Sequence, residues 1–405
     1  MNKKNYSYEV MIIGGGPAGN AAARCLAENG IETVVIDGME KLGDKLCTGI
    51  IGLECSELMT LDPALIYREA SKVTIHGPDK RIHDLEDDNN HAFIIDRVGY
   101  VGGIAEAAQN LGADYLVNHK VTELKIEPSH VFASTISPKG VRLVSAKVVI
   151  IASGFGTNLI TMAGLEKHGK GEYLVGAQVI LNAPDICHTH LFTGKTHVPG
   201  SFGWLVPTTG EKAFLGGLYR KSERYTFSKF LDFLIGQHVV SDPSSPVRYW
   251  GIPVRPLKKT FARRTLVVGD AAGFAKPTTG GGIYYAILSG LLAAETILTS
   301  GKDFESEHMA QYETLWRRRF GQELNVGYYA RQLYESLDDK SLGMLLEKFA
   351  SAEVQSQLLD NNGFSFDWHG STIRKTIQNH EIIEILNSLG PKSLWILGKM
   401  LKSVL

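Results

Sequence analysis

Cysteine is scarce in this chain: 405 residues contain four, Cys25, Cys47, Cys55 and Cys187, with no Cys-x-x-Cys pair and no zinc-like spacing. That pattern excludes a disulfide framework and fits a reducing compartment. It also offers no ligand set for an iron–sulfur cluster. No apolar run approaches the roughly 20 residues that a membrane-spanning helix needs. The apolar segment near the start runs straight into glycines, which is not the pattern of a signal peptide. Neither sign of charge is in excess, the formal net charge being −1. No global positive field therefore recruits nucleic acid, and none is expected as a partner. These absences lead to the expectation of a cytoplasmic, soluble protein.

What the chain does have is glycine, concentrated in two turns, within an ordinary globular composition of 44% apolar and 21% charged residues. The first turn lies in EVMIIGGGPAGNAAARCLAENGIETVVID, which reads as strand, glycine turn, helix and second strand. Gly14, Gly16 and Gly19 make Gly-x-Gly-x-x-Gly directly after the apolar run Val10–Ile13, and Asp37 closes the second strand. The first glycine permits a tight turn, the second lets backbone approach a pyrophosphate, and the third lets helix and strand pack closely. Pro17 and Ala18 open the helix, whose N-terminal NH groups would face the anion. Asp37 would accept hydrogen bonds from ribose hydroxyls and repel a 2′-phosphate, which favours FAD or NAD over NADP.

A nicotinamide dehydrogenase would continue with alternating strands and helices, but here the chain turns irregular (GMEKLGDKLCTGIIGLECSEL). Short strands KVTIHG and HAFIID come next, then the Asp96–Arg97 pair leading into a helix. Closely spaced strands follow, including the one that carries Val121. The apolar strand KVVIIASG ends in Ser153-Gly154 and returns the chain to the first sheet.

The second glycine turn, GDAAGFAKPTTGGGI at 269–283, again joins an apolar strand to a helix. A long flavin cofactor has two ends, and one glycine turn serves only its pyrophosphate. The second turn would place Asp270 on the ribityl or pyrophosphate portion and the backbone of Gly280, Gly281 and Gly282 against the isoalloxazine ring. The helix beginning at Ile283 would stabilise the negative charge of reduced flavin. FAD is therefore the expected cofactor.

GDAAGFAKPTTGGGIYYAILSG closely resembles the signature of the geranylgeranyl reductase family, FAD enzymes with the fold of the aromatic hydroxylases. The resemblance covers about the first 300 residues, including GGGPAG at 14–19, the loop at Cys47, Asp96-Arg97 and GWLVP at 203–207. It implies that Gly14, Gly16, Gly19 and Asp37 hold the adenosine diphosphate and that Arg97 sits beside the cofactor. Cys47, Val121 and Gly154 are counted with them. Two departures stand out. Ser153 and Ile160 replace the aspartate and arginine of the hydroxylases, and Cys47-Thr48-Gly49 lacks the acid of the reductases' Cys-Gly-Glu.

The expected architecture is α/β (α+β overall): a Rossmann-like FAD-binding domain, an inserted antiparallel β-sheet substrate domain and a C-terminal helical region. The boundaries are 1–170 plus 258–300 for the first, with a small β excursion near 72–96, then 171–257 and 301–405. Trp204 and Tyr219 are catalytic-site candidates for lining an apolar cavity, with plain core packing the alternative. His188 and His190 alternate on one strand but lack a third ligand, so no metal is expected. In the terminal PKSLWILGKMLKSVL, Leu394, Leu397, Leu401 and Val404 share one helical side, and Lys392, Lys399 and Lys402 another. That helix either docks on the core or lies peripherally on an anionic membrane.

Hydrogenating an isolated alkene needs a hydride at one carbon, a proton at the other and a dry apolar channel. Cys47 is the candidate proton donor, because the resemblance puts it near the flavin and a free thiol is mostly protonated at neutral pH. The expected partners are a hydrophobic isoprenoid substrate on a lipid or quinone, and an electron donor, NAD(P)H or ferredoxin. Alternatives on the same fold are a flavin monooxygenase or halogenase and an electron-transfer flavoprotein to quinone.

Overall fold

Val10–Ile13 is an unbroken apolar run, and it is buried at the centre of a mainly parallel sheet. The computed structural model describes residues 6–86, 89–169, 172–220, 226–243, 245–359, 364–387 and 389–404. Strand Tyr6–Ile13 pairs in parallel with Gly140–Ile151 on one side and Thr33–Ile36 on the other. Thr265–Val267 and Asp114–Leu116 continue the parallel order outward. The apolar strand ending at Ile151 thus returns to the first sheet as expected, and the strand feeding the second glycine turn lies beside it.

Helix Pro17–Glu28 packs on this sheet against helix Ile283–Thr299. A Cβ at Gly290 would stand 2.2 Å from the Ala18 carbonyl oxygen, so the two helices meet backbone to backbone. Helix Arg97–Asn110 completes the layer, with Asp96 accepting from the NH groups of Val98 and Gly99 as its N-cap.

A second, seven-stranded sheet runs Arg248–Pro253, Tyr173–Asn182, Lys212–Tyr219, Phe202–Pro207, Thr189–Thr193, Lys72–His76, Ile82–Glu86. Its last two strands come from the excursion near 72–96, whose remaining strand, Ala92–Ile95, lies in a small third sheet. They join through a parallel pair, Lys72–His76 on Thr189–Thr193, so the sheet is antiparallel except at that seam. One face packs on helix Thr226–Gly236. The other, carrying Leu174, Trp204, Leu218 and Ile252, turns toward the second glycine turn. A small sheet of Ile50–Gly52, Ala92–Ile95 and Ile66–Glu69 bridges the two.

From Ser306 onward the described chain is helical, with its own apolar cluster around Leu333, Val354, Ile382 and Met400. In the last helix, Pro391–Val404, the inward side is Ile396, Leu397 and Met400. Leu394 and Leu401 point outward with Trp395, which is 61% exposed. This corrects the expected apolar side in part: Leu397 faces inward, but Leu394 and Leu401 do not, because the helix carries apolar residues around most of its circumference. The expected boundaries at 1, 170, 171 and 405, and the Val404 side chain, lie outside the described residues. Among the described residues no helix is long and apolar enough to cross a membrane.

Candidate functional site

Both glycine turns open on one cavity of about 1020 Å³. The first turn is built by close approach: a Cβ at Gly14 would stand 2.3 Å from the Ala152 oxygen, and one at Gly19 1.9 Å from the Gly14 oxygen. At Gly16, in contrast, a Cβ would meet nothing within 4 Å, so that edge of the turn faces open space. Asp37 holds the turn through its carboxylate, which accepts from Gly15 N at 2.6 Å and Met39 N at 2.7 Å. Gly14, Gly16, Pro17, Ala18 and Asp37 all line the cavity, while Gly19 is buried behind it.

The second turn closes on itself, with Lys276 N donating to the Gly281 oxygen and Gly280 N to the Lys276 oxygen. Asp270, Gly280, Gly282 and Ile283 line the cavity. Gly281 does not: its open side is occupied by the Lys276 side chain, whose Cε would stand 3.0 Å from a Cβ there. Helices Pro17–Glu28 and Ile283–Thr299 both begin at this cavity, and neither N-cap, Gly16 or Gly282, carries a side-chain cap. Two sets of helix N-terminal NH groups are thus available to one ligand.

Arg97 is buried and donates through Nη1 to the carbonyl oxygens of Gly43 and Lys45. It thereby shapes the loop that presents half-buried Cys47 to the cavity. Val121 and Gly154 also line the cavity, and a Cβ at Gly154 would stand 3.4 Å from Lys45 Nζ. Lys45, two residues before Cys47, reaches across to Asp270 at 2.6 Å. Arg248 and Trp250, from the edge strand of the second sheet, complete the wall. Sequence reading passed over Lys45, Arg248 and Trp250. The only local signal was Gly176, since a strand glycine marks the close approach of something large, here the Trp250 ring.

Trp204 and Tyr219 do not line this cavity, and the sheet separates them. Trp204 is buried on the face toward the second glycine turn. Tyr219 is fully buried on the opposite face against Phe227 and helix Thr226–Gly236. Alternation along Lys212–Tyr219 turns Leu218 toward the glycine turn and Tyr219 away from it. The catalytic assignment of Tyr219 is therefore withdrawn.

His188 and His190 share a sheet face and stack with a 4.6 Å centroid separation. His76 Nε2 lies 3.0 Å from His190 Nδ1, and Thr74 Oγ1 is 2.7 Å from His188 Nε2. Burial lowers the His190 pKa to about 4, helped by the imidazoles of His188 and His76. Among the described residues no group of three or more His, Cys, Asp or Glu side chains is arranged to hold a metal.

On the far side of the second glycine turn the Lys276 ammonium is buried, donating to the Phe366 oxygen at 2.5 Å and lying 3.8 Å from Asp367. Burial lowers the Lys276 pKa against the pull of Asp367, and burial raises that of Asp367 against the pull of Lys276. Asp367 also accepts from Cys55 N at 2.9 Å, so the C-terminal region buttresses the turn from behind.

Residues 8–185 match the family model described as pyridine nucleotide-disulphide oxidoreductase. A digeranylgeranylglycerophospholipid reductase of Methanoculleus marisnigri is 30% identical over 365 residues, covering 86% of this chain and 92% of the relative. A solved structure of a geranylgeranyl bacteriochlorophyll reductase-like protein from Thermoplasma acidophilum superposes with a TM-score of 0.84 at 24% identity, covering 94% of this chain and 99% of that one. A p-nitrophenol 4-monooxygenase of Pseudomonas putida shares the fold at a TM-score of 0.71 and 15% identity, over 87% and 97% of the two chains. Both glycine turns thus lie in a chain whose relative is matched over nearly its whole length, and this protein belongs to the geranylgeranyl reductase family of FAD-dependent oxidoreductases.

Proposed function

We propose that the protein hydrogenates C=C bonds of a geranylgeranyl-type prenyl chain carried on a lipid or quinone. The observation that carries this reading is the single cavity on which two uncapped helix N-termini and Cys47 converge. The residues fit FAD: Gly16 leaves open space where a pyrophosphate would pass, and the two helix ends suit its two anionic portions. Gly14, Gly16, Pro17, Ala18 and Asp37 would hold the adenosine diphosphate end, with Val121 and Gly154 beside it. Asp270, Gly280, Gly282 and Ile283 would hold the ribityl and ring portions. When bound and reduced, FAD supplies the hydride.

The protein's own part is positional. Arg97 fixes the loop carbonyls and so aims the Cys47 thiol, which would give the proton to the second alkene carbon. Leu46, Trp250 and Ile252 offer an apolar wall that keeps water from the reacting bond. NAD(P)H or a ferredoxin would reduce the cofactor. The outward side of the last helix, with Trp395, Leu394 and Leu401 among Lys392, Lys399 and Lys402, suits the cytoplasmic surface of an anionic membrane where such a lipid resides. In domain terms, 72–86 belongs with the substrate sheet 171–257, and 301–405 forms the buttress.

The test is anaerobic reduction of the holoprotein, addition of a geranylgeranylated glycerolipid, and the mass of the lipid. Gain of hydrogen pairs with reoxidation of the flavin is expected. An unchanged lipid, with flavin oxidised only when air enters, would move the assignment to the oxygen-using enzymes of this fold.

A further inference from the structure

Lys276 is the only buried lysine among the described residues, at 5% exposure. Burying an ammonium costs far more than burying an apolar side chain that would fill the same space, so the charge calls for a reason. A strut between the second glycine turn and the C-terminal region could be built without one.

The position of the charge supplies the reason. The turn is wound about this residue, with Lys276 N donating to the Gly281 oxygen at 2.7 Å and Gly280 N to the Lys276 oxygen at 2.8 Å. Gly280 and Gly282 line the cavity, while the lysine side chain lies against Gly281 between them, its Nζ 3.7 Å from where a Cβ would stand. One layer of backbone therefore separates the ammonium from the cavity. From behind, the C-terminal region holds it by three contacts. These are the Phe366 oxygen at 2.5 Å, the Phe366 ring with its centroid 4.0 Å away, and Asp367 at 3.8 Å. The Asp367 carboxylate is turned toward Cys55 N, from which it accepts at 2.9 Å. Of the two charges, the positive one is the nearer to the glycine turn. Glu54 and Glu323 also face the ammonium.

We infer that Lys276 is a fixed counter-charge for reduced FAD, a positioning residue that acts through the glycine turn. Reduction at neutral pH leaves the flavin ring with a negative charge that the oxidised ring lacks. A positive charge already in place stabilises that state without reorganisation. The helix beginning at Ile283 offers the ring a partial charge, whereas Lys276 offers a whole one. Asp367 and the Phe366 carbonyl both fix the ammonium and moderate it. The C-terminal region thereby sets how readily the cofactor accepts electrons. The inference rests on the assignment of Gly280 and Gly282 to the ring portion of FAD, and it holds whatever substrate is reduced.

The test is the anaerobic redox equilibrium between bound FAD and a reference dye, in holoproteins of equal flavin content. Lys276→Met should move the oxidised-to-reduced ratio about 10-fold toward oxidised, and Asp367→Asn should move it the opposite way. The uncharged double variant should fall between Lys276→Met and the wild type, and it carries the test if a single variant fails to fold. Shifts in the same direction in both single variants, or a double variant equal to the wild type, would make the pair a structural tie and overturn the inference. Gly282→Ala checks the assignment of the turn, because it should alter the flavin absorption band. An unaltered band would take the turn away from the ring and sink that assignment together with the inference. An altered band with unmoved equilibria in the Lys276 and Asp367 variants would sink the counter-charge alone.

Discussion

The ammonium of Lys45 lies 2.6 Å from the carboxylate of Asp270, across 225 residues of chain. This contact ties the loop bearing Cys47 to the second glycine turn over the mouth of the shared cavity. Both side chains are partly exposed, 44% and 25%, so the ion pair itself stabilises the fold by little. Its importance is that two segments lining one cavity are held in register.

Asp270→Ala should weaken FAD retention by roughly 10- to 100-fold, the range for a lost hydrogen bond to a charged group. Lys45→Ala should change stability by no more than about 1 kcal/mol. Flavin-to-protein ratio after exhaustive ultrafiltration reads the first and denaturant unfolding the second. Full FAD retention by Asp270→Ala would remove that residue from the cofactor site.

Lys276 and Asp367 form a buried pair, and breaking either half alone leaves a buried charge with no counter-charge. Lys276→Met and Asp367→Asn should each cost about 3–5 kcal/mol, and the double variant much less than their sum. Urea unfolding of all four proteins gives the coupling. Strict additivity would mean that the two side chains do not act as a pair.

Cys47→Ala should lower turnover by roughly 100-fold or more, the usual contribution of a positioned proton donor, with flavin content unchanged. Single-turnover reoxidation of reduced flavin by the lipid is the measurement. Unchanged turnover would reduce Cys47 to a wall residue.

The imidazoles of His76, His188 and His190 all titrate low because they are buried, opposed by the nearby Asp84 carboxylate. In the unfolded chain a histidine titrates near about 6.5, and folded His190 near about 4. Between those values the unfolded chain binds more protons, so stability should fall as pH drops through that window. His190→Phe should flatten the fall in thermal midpoint, and superimposable pH profiles would contradict this account. Lys72 and Glu86 also face this cluster.

The parts of the site legible in sequence are those dictated by backbone chemistry. Gly14, Gly16, Gly19 and Asp37 were readable because their spacing is imposed by the turn itself. Lys45–Asp270 was not, because nothing local links residues so far apart. Tyr219 was misplaced by one step of strand alternation, which flips a side chain to the other face.

The parallel seam between Lys72–His76 and Thr189–Thr193 has a kinetic consequence. The chain between those strands contains Gly140–Ile151, a central strand of the other sheet. The second sheet therefore closes around a segment that must itself find Tyr6–Ile13. Each sheet is completed by chain belonging to the other, so neither half should survive as an independently expressed fragment. Refolding should be slow and cooperative, with the signals of both sheets rising together.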